Sequence, residues 1–130
     1  KESYSIPQAY QSFCNKLADF FTFYDVQVDI HATEFSYCDG DYNLNILGKK
    51  VVGTAQRVVL KNGGGKVVLA QACILINADI EAIVKPVNAC YKYHQQDQSV
   101  RAEVHTCLAE HIEQQASIEE YFQKLVKAFS

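Results

Sequence analysis

Residues 42–77, YNLNILGKKVVGTAQRVVLKNGGGKVVLAQACILIN, decide the fold because they hold three β-strand patterns separated by two turns. Apolar and polar residues alternate over 42–46, and a tight turn then leads into a second strand over 50–61. Residues 62–65, NGGG, give the strongest turn signal of the sequence and join that strand to a third over 66–77. The pattern predicts three consecutive antiparallel strands, a meander.

Helical periodicity precedes this segment. Ser5 opens a capping box with Pro7 in the first turn, and apolar residues at helical spacing predict a helix over about 6–23. A short alternating strand is predicted over 26–30, and residues 31–41 form a predicted loop rich in turn formers.

Helical periodicity returns after the sheet. Asp79 is a candidate cap for a short helix that reaches Val84 and ends before Pro86. A further helix is predicted over 100–112, and Ser117 opens a second capping box that starts the last helix. The predicted fold class is α+β, with a mainly antiparallel sheet of three to four strands and helices packed on one side.

Length, composition and charge limit the organisation and the function of the chain. It has 130 residues, of which 48% are apolar, and this suits a single core. We therefore expect one domain, with residues 1–78 as a sheet-and-helix part and residues 79–130 as a helical segment packed on it. A net charge of -3 with scattered Lys and Arg argues against nucleic acid and a membrane surface as partners, and no apolar run is long enough for a bilayer span.

The five cysteines are widely and irregularly spaced, without a CxxC pair. This pattern argues against a metal site and favours free thiols in a reducing, cytoplasmic compartment. Cys14 and Cys73 lie in apolar periodic segments, where we predict buried side chains. Cys38 differs because it lies in the polar, glycine-bearing loop, where a substrate can reach a nucleophilic thiol.

Spacing alone does not decide whether Cys38 reacts. Its neighbours Asp39 and Asp41 oppose a negative charge on the sulfur, so activation would have to come from a lysine or from backbone N–H groups supplied by the fold. An incidental exposed thiol is the simpler interpretation of this loop by itself.

The second strand carries a run of small residues, Gly53, Thr54 and Ala55, that leaves room beside the backbone for a ligand chain. Lys50 at its start could direct an ammonium group toward a carboxyl, thioester or phosphate. Gln71 places an amide in the apolar third strand, where it needs a hydrogen-bond partner or a ligand. A hairpin with solvated lysines and a bulge at Gly53 is the simpler interpretation of these residues alone.

Three stretches together resemble the biotin/lipoate protein ligase superfamily: YCDGDYNL at 37–44, GKKVVGTAQR at 48–57, and the strand that carries Gln71. Within it, the cysteine-using octanoyl- and lipoyl-transferases related to lipoate-protein ligase A are most similar. The resemblance extends over about residues 5–79 and is most specific in the first two stretches. DQSVRAEV at 97–104 is similar to a segment that follows the sheet in the ligases and in one branch of the transferases.

The resemblance implies a role for each candidate residue. Cys38 matches the acyl-accepting cysteine of the transferases, and Lys50 matches the family lysine that contacts the acyl carbonyl or the acyl-adenylate. Four further residues match the strands that line the acyl tunnel: Gly53, Thr54, Ala55 and Gln71. The implied activity is attachment of lipoate or octanoate, in which Cys38 takes the acyl group as a thioester and a lysine of a lipoyl domain then accepts it.

Two alternatives stay open. An ATP-dependent lipoate-protein ligase would work through an acyl-adenylate without the cysteine, and a non-catalytic truncated member would only bind a lipoyl or carrier domain. No tightly bound cofactor is implied: lipoate or octanoate is the transferred group, and only a ligase needs ATP. The implied partners are lipoyl-domain proteins, namely the glycine-cleavage H protein and dehydrogenase E2 subunits, or acyl carrier protein.

The sequence departs from the family pattern in two places. Asp39 stands where the family often has proline. The N-terminal RRxxGGxxVxH-like motif, which forms the other wall of the acyl site in the family, does not occur in these 130 residues. Because the sequence also contains no Met, we expect a fragment that lacks an N-terminal part of its own domain and is inactive alone.

Overall fold

Four β-strands form the centre of the computed structural model, which describes residues 4–130. One α-helix precedes the sheet, and two follow it with two short 3₁₀ helices between them. The elements in chain order are α1 (Ile6–Thr22), β1 (Asp29–His31), β2 (Asn43–Ile46), β3 (Lys49–Leu60), β4 (Lys66–Ile74), α2 (Ile80–Tyr93), the 3₁₀ helices Ala102–Val104 and Leu108–His111, and α3 (Ile118–Phe129). Within residues 4–130, no helix is both long and apolar enough to cross a membrane.

The four strands form one antiparallel sheet in the order β1–β2–β3–β4, so each strand pairs with its neighbour in sequence. Leu47 and Gly48 join β2 to β3 with φ angles of 50° and 79°, and two positive angles in succession are typical of a tight hairpin turn. Three glycines with positive φ, residues 63–65, close the β3–β4 hairpin. The predicted meander and the α+β class are confirmed.

The hydrophobic core lies between α1 and the inner strands β2 and β3, and residues of α3 complete it. Ser5 and Ser117 accept hydrogen bonds from the backbone N–H groups of Gln8 and Glu120, so both predicted helix caps are confirmed. Fully or almost fully buried members of the core are Cys14, Leu17, Phe20, Phe21, Val26, Leu44, Ile46, Val51, Val52, Leu108, Tyr121 and Ala128. This packing anchors β2 and the first part of β3, on which the site is built.

Helix α2 is longer than the sequence predicts. It is capped by Asp79 as expected, but it continues through Pro86 to Tyr93, so the predicted end before the proline is wrong. Proline removes only one N–H donor, and contacts beyond the helix compensate. The Asn88 amide donates to the Val100 carbonyl at 2.8 Å and accepts from the Val100 N–H at 2.7 Å, which holds the second half of the helix in place.

The segment 100–112 forms two 3₁₀ turns, and the predicted α-helix there is wrong. Several of its backbone N–H groups donate to carbonyls of the sheet region instead of to the preceding turn. Thr106 donates to the Lys50 carbonyl at 2.9 Å, and Leu108 donates to the Leu75 carbonyl at 2.8 Å. Tertiary hydrogen bonds therefore override the helical spacing of the apolar residues.

Strand β4 and the far half of β3 are exposed on both faces. Cys73 in β4 is exposed, so its predicted burial is wrong, whereas Cys14 is buried as predicted. The physical reason is that the helices pack against the inner strands, and the core that they form does not extend over this hairpin. The exposed apolar side chains are Val58, Val59, Leu60, Val67, Val68 and Leu69.

Candidate active site

The side chains that the sequence singles out surround one cavity, which lies where the loop before β2 meets β3 and β4. Its volume is about 310 Å³, at the lower end of the range of small-molecule pockets. The lining residues are Tyr37, Cys38, Lys50, Gly53, Thr54, Ala55, Gln71, Ala72 and Cys73. The fold thus brings all of the predicted site residues together, and it adds three that were not predicted.

Lys50 is fully buried beside this cavity. Its Nζ donates to the carbonyl oxygen of Tyr37 at 2.6 Å and to that of Cys38 at 3.3 Å, and it lies 4.3 Å from the centre of the Tyr37 ring. Burial lowers the pKa of the Lys50 ammonium, although the charges of Asp39, Cys38 and Cys73 oppose that shift. Two of its three N–H donors serve the carbonyls, and the interpretation of Lys50 as a solvated hairpin lysine is wrong.

A β-bulge explains how Lys50 comes to face the cavity. Val51 is an extra residue on β3, because its neighbours Lys50 and Val52 pair with consecutive residues of β2. The insertion interrupts the regular alternation and brings Lys50 against Gly53. A Cβ atom on Gly53 would lie 3.2 Å from Lys50 Cε and 3.4 Å from Nζ, so glycine at this position leaves the space that the lysine fills.

Cys38 is exposed, and its φ of 43° lies in the left-handed region that residues other than glycine seldom occupy. The neighbouring Asp39 carboxylate fixes the loop, accepting from the Thr33 N–H at 2.8 Å and from the Asn43 amide at 2.9 Å. On the other side, the Cys38 carbonyl is bonded to the Lys50 ammonium. Cys38 is therefore held at the cavity by its backbone.

Tyr37 and His105 belong to the site, and the sequence did not reveal either. The Tyr37 N–H donates to His105 Nε2 at 3.2 Å, and the two rings stack with centroids 5.1 Å apart and planes 8° apart. Because Nε2 accepts this bond, the proton of the neutral ring is on Nδ1. Burial lowers the pKa of His105, and the Lys50 charge lowers it further. His105 thus holds the backbone N–H of Tyr37, and the carbonyl of the same residue accepts a hydrogen bond from Lys50.

The remaining predicted residues form the cavity walls on β3 and β4. Ala55 pairs directly with Gln71 across the two strands. Thr54 Oγ1 donates to the Tyr42 carbonyl at 2.6 Å, and this hydrogen bond holds the end of the loop against β3. Gln71 is exposed, so its amide faces the cavity and solvent rather than an apolar core.

A second, more polar cavity of about 440 Å³ adjoins the first, and Cys38 lines both. Its wall includes Ser36, Asp97 and Ser99, so part of the 97–104 stretch reaches the site. The Arg101 N–H donates to the Phe35 carbonyl at 2.9 Å and ties this stretch to the Cys38 loop. In the described part of the chain, no cluster of His, Cys, Asp or Glu is placed to hold a metal ion.

The chain resembles known proteins in both sequence and structure. The family model of the lipoyl protein ligase A/B catalytic domain matches residues 1–130. The fold is similar to that of lipoate-protein ligase A bound with ATP (TM-score 0.70, 13% identity) and of protein Ta0514 from T. acidophilum, a proposed lipoate protein ligase with bound lipoic acid (TM-score 0.65, 13% identity). All of the chain is covered, but it spans only 47% and 46% of those two chains. No curated protein matches the chain in sequence.

Proposed function

Because the chain belongs to the lipoyl protein ligase A/B catalytic-domain family, we propose that it takes part in protein lipoylation as an acyltransferase that carries the acyl group on Cys38. The observation that supports this most is the shared cavity of Cys38 and the buried Lys50. The Cys38 thiol is accessible to solvent, and the neighbouring Lys50 ammonium is held in place by its hydrogen bond to the Tyr37 carbonyl. This is the combination that acyl transfer through a thioester needs.

The proposed reaction has two steps. In the first, the Cys38 sulfur attacks the carbonyl carbon of an octanoyl or lipoyl thioester, the new S–C bond forms, and the donor thiol leaves with the proton that Cys38 gives up. In the second, the amine of a target lysine attacks the Cys38 thioester, an amide forms, and Cys38 recovers its proton. Lys50 orients and polarises the acyl carbonyl in both steps, because its Nζ is held within the cavity by two backbone carbonyls.

The acyl chain would run along the small residues of β3. Gly53, Thr54 and Ala55 form one wall, with Gln71 opposite on β4. The cavity of about 310 Å³ suits a medium-length acyl chain such as octanoate or lipoate. The target lysines would be those of lipoyl-domain proteins, such as the glycine-cleavage H protein and dehydrogenase E2 subunits, and acyl carrier protein is a candidate donor. Five free cysteines, none paired with another, are consistent with a cytoplasmic protein.

A ligase mechanism is the second candidate, because one structure with the same fold contains ATP and another contains lipoic acid. In a ligase, the acid would be activated as an acyl-adenylate, Lys50 would contact that mixed anhydride, and Cys38 would not be acylated. A third possibility is a member that binds a lipoyl or carrier domain without catalysis.

We also propose that further polypeptide completes the acyl site. The hairpin of β3 and β4 exposes apolar side chains on both faces, including Leu69 on one face and Val68 on the other. The chain spans about half the length of the solved structures that share its fold, 47% in the first of them. We expect residues 1–130 alone to be inactive, and a protein in which the hairpin is covered to be active.

The test is transfer of an octanoyl group to a lipoyl domain by the full protein, with wild type, Cys38→Ser and the control Cys90→Ser compared with and without ATP. A transferase works without ATP, loses about tenfold or more of its rate in Cys38→Ser, and is unaffected by Cys90→Ser, because the exposed Cys90 lies on α2 outside the cavity. A ligase requires ATP and tolerates Cys38→Ser. Binding of the lipoyl domain without any transfer would favour the non-catalytic alternative.

A further inference from the structure

Cys73 is a second thiol of the candidate active site. It lies on β4, is exposed, and lines the same cavity as Cys38 and Lys50. Its direct partner across the sheet is Gly53, the residue whose missing side chain makes room for Lys50. The Cys73 thiol is therefore next to the group that we expect to polarise an acyl carbonyl.

Three functional groups converge over Gly53. A Cβ atom at this glycine would lie 3.4 Å from Lys50 Nζ and 3.7 Å from Tyr37 Cε2. The Cβ atoms of directly opposite strand residues are about 4.5–5.5 Å apart. The Cβ atom of Cys73 therefore lies about that far from the position that a Cβ atom on Gly53 would take. The thiol, the ammonium and the phenol ring consequently share one small volume.

The electrostatics agree with this placement. Burial lowers the pKa of Lys50, but charge on Cys73, like charge on Cys38, acts in the opposite direction. Burial also raises the pKa of Tyr37, and the charge of Cys73 is the next cause. The Tyr37 hydroxyl is buried and has no hydrogen-bond partner of good geometry within residues 4–130. Its interaction with the Cys73 side chain is among the causes of its raised pKa, so the two groups lie close together.

Resting on the thioester chemistry proposed for this cavity, we propose that Cys73 is a second acyl-accepting thiol that takes medium-chain acyl groups from thioester donors. The Cys73 sulfur attacks the donor carbonyl, an S–C bond to the acyl group forms, and the donor S–C bond breaks. The donor thiol leaves with the proton released by Cys73. No oxidant or metal is needed, and the same ammonium of Lys50 serves the carbonyl in either thioester.

The geometry favours this role because Cys38 and Cys73 both line the cavity beside Lys50, where the acyl carbonyl would bind. Cys38 approaches it from the loop, and Cys73 approaches it from β4. Cys90 is equally a free, exposed cysteine, but it lies on α2 and does not line the cavity. It therefore provides an internal control for reactions that any exposed thiol undergoes.

The experiment measures octanoylation of the full protein by the octanoyl thioester of N-acetylcysteamine, for wild type, Cys38→Ser, Cys73→Ser and the double variant. Intact mass gives the number of octanoyl groups, cleavage by hydroxylamine identifies thioesters, and peptide mapping locates them. Each variant is also checked for an unchanged melting temperature, which serine in place of an exposed cysteine should preserve. Lys50→Met is added to test whether labelling depends on the ammonium.

We expect Cys38→Ser to gain one octanoyl group on Cys73, about tenfold or more faster than Cys90 is labelled, because polarisation by one preorganised donor is worth at least this factor. The double variant should lose all cavity labelling, and Lys50→Met should slow Cys38 and Cys73 without slowing Cys90. Labelling of Cys73 no faster than that of Cys90, with Cys38 still acylated in wild type, overturns this inference and leaves the proposed transfer intact. Acylation of neither cavity thiol in wild type overturns both proposals.

Discussion

Replacing Gly53 with alanine tests whether the position of the Lys50 ammonium controls acyl transfer. The added methyl group would lie 3.2 Å from Lys50 Cε and 3.4 Å from Nζ, closer than most contacts that a Cβ atom makes. Lys50 is fully buried, and its ammonium is held by the Tyr37 carbonyl at 2.6 Å, so the side chain cannot turn into solvent to avoid the methyl group. The lysine must shift by a few tenths of an ångström.

The size of the effect follows from this shift. Misplacement of a catalytic group by about 1 Å costs about 10²-fold in rate, so a shift of about 0.3 Å should cost about fourfold. The free energy of unfolding should change by less, because alanine in a strand is about 0.5–1 kcal/mol more favourable than glycine and this offsets the strain of the close contact. Gly53→Ala should therefore lose activity while its stability stays close to that of the wild type.

The assay is the rate of octanoyl transfer to a lipoyl domain by the full protein, together with the melting temperature. Gly40→Ala is the matched control, because a Cβ atom on Gly40 meets nothing within 4 Å. The control should keep both the rate and the melting temperature of the wild type. A wild-type rate in Gly53→Ala would show that the position of the Lys50 ammonium does not control transfer. A loss of rate that merely follows a loss of folded protein would show the same.

Three further predictions concern the buried charge, the buried imidazole and the core. Lys50→Met should reduce transfer by about 10²–10³-fold without lowering the melting temperature by more than a few degrees, since it also removes a buried charge. Burial lowers the pKa of His105 below 6.5, so the stability that its neutral form supports should be fully present above that pH and lost as the pH falls through the lowered pKa. Urea unfolding across this range should show the loss in wild type and in His94→Gln but not in His105→Gln. Leu44→Ala should lower the free energy of unfolding by about 2–5 kcal/mol in the same assay, because Leu44 is fully buried in the core.

The sheet could be predicted from the sequence because its information is local. Positive φ angles occur at Gly48 and over 63–65, where the glycines mark the turns, and alternation defines the strands between them. The two serine caps were equally visible, since a cap depends on residues within one turn of helix. The bounds of α1, β2 and β3 were predicted within about one residue, whereas β1 begins at Asp29 instead of residue 26 and β4 ends at Ile74 instead of residue 77.

The errors arose where distant residues decide the local structure. Pro86 did not end α2, because Asn88 is held by Val100 beyond the helix. The segment 100–112 is not an α-helix, because the N–H groups of Thr106, Leu108 and Ala109 donate to carbonyls of Lys50, Leu75 and Ile76 in or next to the sheet. Cys73 lies in an apolar stretch, but its side chain is exposed because no helix of the described residues packs on that part of β4. Residues far apart in sequence decide each of these features, so the periodicity of the sequence cannot reveal them.

In the candidate site, too, the sequence revealed the residues that belong to a local motif and missed those that depend on distant contacts. Cys38, Lys50 and the small residues of β3 were identified by their resemblance to a family motif, and the fold brings them to one cavity. His105 was missed because its contact with Tyr37 joins residues 68 positions apart, and no motif connects them. The bulge at Val51, which turns Lys50 toward Gly53, depends on strand register and was equally invisible in the sequence.

A crystal structure of the full protein with octanoate or lipoate bound would show whether Cys38 and Lys50 form an acyl site. We expect a carboxyl oxygen of the ligand to lie within hydrogen-bond distance of Lys50 Nζ, with Cys38 beside the carboxyl carbon and the hydrocarbon chain running between Gly53 and Gln71. A ligand bound elsewhere, or bound in this cavity with its carboxyl group directed away from Lys50, would rule out this site.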